Sequence, residues 1–169
     1  MNDITNRVAN SPIYSLNMEE FYPRERRVKF DLRPFLYQDL ILKEKEFRSM
    51  LKEVDWSVYK DTWVSIICSV DAIVPTWAYM LVSTYLQPVS KGYVIGGSEE
   101  LEIFIAEQTL KSLDLSVMEN RPVVIKGCSK IDIPLFAYGR LVSLLQPIAK
   151  SLMFGEPCST VPLVKKGKS

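Results

Sequence analysis

The sequence predicts an α/β fold: a mostly parallel open sheet of about four strands, built from two repeated β-α units, with an irregular α+β segment at the N-terminus. Two observations carry this prediction. From Thr62 onward, short continuous apolar runs rich in Val and Ile alternate with helical stretches, as expected of strands covered on both faces. The chain also matches itself when shifted by 59 residues. Identities then line up at Pro75/Pro134, Ala78/Ala137, Tyr79/Tyr138, Leu86/Leu145, Gln87/Gln146, Pro88/Pro147, Lys91/Lys150 and Gly96/Gly155. Trp77 meets Phe136, and Val89 meets Ile148. One extra residue in the first loop places Cys68-Ser69 on Cys128-Ser129. A fixed period points to a repeated supersecondary unit, although buried helices with similar packing needs also share vocabulary.

The elements follow in order. Val28 to Leu32 alternates apolar and polar residues, a half-buried strand that Pro34 ends or keeps at an edge. Between Glu44 and Tyr59, Phe47, Met50, Leu51, Val54 and Val58 recur at helical steps, with Trp56 off the stripe. Trp63 to Cys68 reads as a strand and Pro75 to Gln87 as a buried helix. Tyr93 to Ile95 is a strand closed by Gly96-Gly97. Ser98 is the expected N-cap of a helix reaching Leu113, with Glu99 and Glu100 favourably placed against the helix dipole. Val123 to Ile125 and Pro134 to Gln146 repeat the strand and helix. By the 59-residue match, Leu152 to Phe154 is a fourth strand rather than more helix. At 169 residues, with 47% hydrophobic and 24% charged, the chain suits one domain. Residues 1–60 would pack as a strand/helix segment on a 61–169 core.

Charge and composition exclude several function classes. A net charge of +1 provides no field that would draw the protein to nucleic acid or a membrane. The basic runs Arg24, Arg26, Arg27, Lys29 and Lys165, Lys166, Lys168 read as solvated surface and a frayed tail. The N-terminus lacks the basic and apolar regions of a signal peptide, which makes a cytoplasmic location the expectation. There is no histidine, so Ser-His-Asp and Cys-His catalysis and His-ligated metals are excluded.

What remains is cysteine and carboxylate chemistry. The three cysteines, Cys68, Cys128 and Cys158, are each followed by serine. Asp71 lies three residues after Cys68, and Asp132 four after Cys128. In right-handed β-α-β crossovers all three cysteines fall just past carboxyl ends of strands, the edge at which open α/β sheets place ligands. Cys68, Cys128 and Cys158, with Asp71 as a fourth ligand, form a donor set for zinc, iron or an iron–sulfur cluster. No Cys-x-x-Cys chelate supports that reading, so it rests on convergence in space. A second reading makes Cys128 a nucleophile, its thiolate favoured by Lys126 and a helix N-terminus. A third is a non-catalytic interaction module. In that case Cys68 is a buried small hydrophobe and Asp71 a helix cap, and Tyr79 and Tyr138 pack with their hydroxyls bonded. Gly96-Gly97-Ser98 resembles a phosphate cradle but lacks the spacing of a nucleotide fingerprint, and a plain strand-to-helix turn explains it.

The stretches Cys68 to Tyr79, Ile125-Lys126-Gly127-Cys128 and Gly155 to Leu163 resemble a small family of uncharacterised bacterial proteins catalogued as a domain of unknown function. Asn6 to Ala9 and Leu40 to Lys45 extend the resemblance over nearly the whole chain. The family is associated with gene neighbourhoods for iron–sulfur cluster assembly. The resemblance therefore implies iron–sulfur assembly proteins as partners and a metal- or sulfur-handling role, without implying any site residue.

Overall fold

The computed structural model of the protein describes residues 12–127, 130–156 and 159–166. Among these the strands are β1 (Tyr14–Asn17), β2 (Arg27–Asp31), β3 (Trp63–Ile67), β4 (Gly92–Ile95), β5 (Pro122–Lys126), β6 (Ser151–Glu156) and β7 (Ser159–Lys165). The helices are α1 (Glu44–Lys52), α2 (Thr76–Leu86), α3 (Ser98–Lys111) and α4 (Leu135–Leu145). The fold is mixed α/β. Two compact units divide the chain, Arg24–Ile105 and the pair Met1–Pro23 with Ala106–Ser169, so the division falls inside α3.

In the first unit β2, β3 and β4 form an all-parallel sheet in that order. β3 is almost wholly buried, as its continuous apolar run requires. The helix α2 makes the crossover from β3 to β4 and buries Ala78, Val82 and Leu86 against Val64, Ile66, Phe30 and Leu32. α1 adds Phe47 and Leu51 to the same core. This helix stops seven residues short of Tyr59, and the reason is local. Asp55 accepts a hydrogen bond from the Ser57 amide at 3.0 Å and starts a separate 3-10 turn, Trp56–Tyr59. That turn brings Trp56, the residue off the helical stripe, into a stack between Phe30 (5.3 Å) and Tyr85 (4.7 Å), with its indole N–H donated to the Leu51 carbonyl.

In the second unit the sheet order is β1-β5-β6-β7. β1, β5 and β6 run parallel, and β7 returns antiparallel along β6. Ser151–Glu156 is thus a strand, as the match between the halves predicted. The 59-residue shift also relates individual contacts. Asp61 N–H bonds Val89 and Asn120 N–H bonds Ile148; Lys91 bonds Thr62 and Lys150 bonds Arg121. Pro75 and Pro134 cap α2 and α4 in the same extended conformation. Asp61 and Asn120 share positive φ angles of 55° and 56°.

The expectation of one sheet of about four strands needs correction, because the strands form two sheets. Both edges of β3 are taken by β2 and β4, and both edges of β5 by β1 and β6. β1 escapes sequence reading because four residues carry too little periodicity, and β7 because Pro162 interrupts it. Pro162 is tolerated on an edge strand, where its missing N–H faces outward. The predicted frayed tail is corrected for two of its lysines, since Lys165 ends β7 and the Lys166 amide bonds the Lys150 carbonyl, while Lys168 lies outside the described residues. Of the first basic run, Arg27 makes a two-pronged, half-buried pair with Glu102 of α3 (2.8 and 3.3 Å). No described helix is long and apolar enough to cross a membrane.

Candidate functional site

Cys68 directly follows β3. It is half-buried, packs against the apolar core of its unit, and donates its thiol hydrogen to the Val70 carbonyl at 3.3 Å. The loop that holds it is pinned from β2. Asp31 Oδ1 accepts the Ser69 amide and the Arg33 amide, both at 3.0 Å. Burial pushes this carboxyl up, yet the hydrogen bonds from Ser69 and Arg33 and the charge of Arg33 more than offset it and hold Asp31 below the ordinary 3.8. Asp31 is the residue that sequence reading missed. It ends a strand that was legible, but its partner is 38 positions away.

This pin has a pH signature. The folded chain binds fewer protons at Asp31 than the unfolded chain does. Its stabilisation is therefore complete above the ordinary carboxyl value and is lost as the pH falls through the lower folded one. Asp31→Asn is expected to cost about 1–2 kcal/mol at pH 7, discounted for partial exposure, and less towards pH 3. Urea unfolding at pH 7 and pH 3 checks this, and a cost independent of pH would contradict it.

Asp71 is exposed, and α2 is capped by Pro75 without any side chain, so Asp71 does not cap that helix. Among the described residues no three Cys, Asp or Glu side chains are grouped to hold a metal. Cys128 and Cys158 lie outside the described residues. The strands they follow in the chain, β5 and β6, belong to the four-stranded sheet, whereas Cys68 follows β3 of the three-stranded one.

Tyr79 and Tyr138, matched by the repeat, occupy the first turns of α2 and α4. Tyr79 packs against the core, and burial, followed by neighbouring Cys68, pushes its phenol above the ordinary 10.0. Tyr138 meets the Phe154 ring edge-on at 6.0 Å. These two rings, with Gly127, Ile131, Asp132, Ile133 and Leu135, surround a cleft of about 400 Å³ at the carboxyl end of β5. Gly127 suits the close approach there, since a Cβ would stand 3.2 Å from the Phe154 ring, which would have to shift by a few tenths of an ångström.

Lys126, the last residue of β5, places its ammonium 3.2 Å from Glu156, the last residue of β6. A lysine so engaged has less charge to offer a neighbouring thiolate. The glycine turn before α3 is also already served: Glu100 Oε2 accepts the Gly97 amide at 2.8 Å, so Gly97 rather than Ser98 is the cap. A carboxylate of the chain itself sits where a phosphate would bind.

No curated protein and no solved structure matches the sequence. Residues 2–166 match a family model described as protein of unknown function (DUF2480). That match spans nearly the whole chain, both units included, and by it the protein belongs to the DUF2480 family of proteins of unknown function.

Proposed function

We propose that this protein handles a metal ion, zinc or iron, or sulfur through the thiols of Cys128 and Cys158, as an accessory to iron–sulfur cluster assembly. One observation carries the reading: β5 and β6 are adjacent parallel strands whose last residues, Lys126 and Glu156, are joined by an ion pair of 3.2 Å. Neighbouring strands lie about 4.8 Å apart. Cys128 follows Lys126 by two residues and Cys158 follows Glu156 by two, a spacing that supports assigning both thiols to one edge in this reading. Two thiolates leave about half of a tetrahedral shell open for water or a partner's ligand. Cys68, half-buried and bonded to Val70, acts in this reading as a packing residue, and Asp71 is an exposed loop residue.

Elemental analysis of protein purified without oxygen tests the reading. Near-stoichiometric zinc or iron is expected in the natural chain and in Cys68→Ser, with loss of most of it in Cys128→Ser and in Cys158→Ser. Metal absent from the natural chain, or lost equally in all three variants, would overturn the assignment.

A second reading, a thiol enzyme with Cys128 as nucleophile, is favoured by the cleft that Gly127 lines immediately before it. It predicts one cysteine alkylating much faster than the other two at neutral pH.

A further inference from the structure

The cleft between Tyr138, Phe154 and Asp132 is built differently from the corresponding place in the other unit. Under the 59-residue shift Tyr138 corresponds to Tyr79, but Asp132 corresponds to Ile73 and Phe154 to Ile95. In the Arg24–Ile105 unit that loop is stitched down: the Ile73 amide bonds the Leu40 carbonyl at 3.0 Å, and Ile73 pairs with Ile41 as a short parallel bridge. The loop at Asp132 is held at another point, the Lys130 amide donating to Glu19 Oε1 at 3.2 Å, and a cleft lies beside Asp132. Leu135 at its rim is 85% exposed.

From this geometry we infer that the cleft binds a small organic cation with an apolar body, such as an aralkyl ammonium ion. The warrant is charge and shape together. Two aromatic rings, edge-to-face at 6.0 Å, line the cleft, and Asp132 on its lining supplies a carboxylate; aromatic faces attract cations. Among the described lining residues there is neither lysine nor arginine. The positive end of α4 opposes a cation, but it amounts to about half a charge whereas Asp132 carries a whole one. The volume, about 400 Å³, lies in the range of small-molecule sites, and apolar walls with one polar group are their usual composition. At Gly127 the backbone runs close to the Phe154 wall, an added Cβ standing 3.2 Å from the ring.

The inference is independent of the thiol reading, and its test removes the thiols. In a metal-free Cys128→Ser, Cys158→Ser double variant, benzyltrimethylammonium and 3-phenylpropionate are titrated separately while backbone amide resonances are followed. Benzyltrimethylammonium is expected to shift Gly127, Tyr138 and Phe154 and to bind about tenfold or more tightly than the anion. Asp132→Asn, on an exposed side chain that leaves folding intact, is expected to abolish most of that preference. Phe154→Leu is expected to weaken the cation several-fold. Equal binding of cation and anion, shifts located elsewhere, or an unchanged preference in Asp132→Asn would overturn the inference. Loss of metal binding in the thiol variants bears only on the earlier proposal.

Discussion

Phe47→Ala is expected to destabilise the Arg24–Ile105 unit by about 3–5 kcal/mol, the cost of emptying a fully enclosed aromatic site. Phe47 has no exposed surface and meets Phe35 at 5.7 Å and Trp77 at 5.9 Å, both edge-on. Each such ring pair adds about 0.5–1.5 kcal/mol beyond buried area. The neighbours cannot close the gap easily. Phe30, Phe35, Trp56 and Tyr85 are themselves stacked, and Trp56 is tied to the Leu51 carbonyl by its indole N–H. Trp56, Trp63 and Trp77, all the tryptophans of the chain, lie in this unit. Tryptophan fluorescence during urea unfolding therefore reads the affected unit directly. A loss below about 1.5 kcal/mol would mean that the site collapses and that this core is looser than its stacking implies.

What the sequence made legible divides along physical lines. β3, β5, α2 and α4 announced themselves, because strands and helices buried on most sides leave long apolar runs. Matching Lys150–Gly155 to Lys91–Gly96 pointed to β6 where hydropathy alone suggested more helix. The end of α1 was missed, although its signal, Asp55 two residues before Ser57, is local and recurs as Asp114 before Ser116. The partition into two sheets was not legible. It depends on which strand each edge accepts, and β1 has only four residues in which to declare a preference. The candidate site shows the same division. Cys68 at the end of a strand could be placed by counting, whereas the Asp31 carboxylate that pins its loop is a tertiary fact, and Ile73 bonding Leu40 is another. The glutamate that fills the Gly97 turn was in plain view three residues on, but a glycine cap lacks the Ser or Thr that marks a capping box.

Two glycine-to-alanine changes should move stability in opposite directions, and the first also reaches the proposed thiol edge. Gly155 near the end of β6 has a φ of +120°, and a Cβ there would stand 2.8 Å from the backbone oxygen of Ser159. That oxygen belongs to the returning strand, which pairs Gly155 with Thr160 and Glu156 with Ser159. It cannot rotate away as a side chain would. The backbone strain alone is worth about 1–3 kcal/mol, and relieving the clash means opening the end of the β6–β7 ladder. Since about 1.4 kcal/mol is a factor of ten in an opening equilibrium, amide exchange of Thr160 and Val161 should accelerate about tenfold or more. Glu156 is the next residue, so its ion pair with Lys126 should loosen and metal occupancy should fall in parallel. Gly139 offers the contrast. It lies inside α4 with nothing within 4 Å of an added Cβ, so alanine there should stabilise the protein by about 0.5–1 kcal/mol by restricting the unfolded chain. Thermal unfolding of both variants, with hydrogen exchange on Gly155→Ala, gives the comparison. A Gly155→Ala protein as stable as the natural one would show that residue 155 adopts another backbone conformation, and would remove the support that β6 and β7 give to a thiol site at that edge.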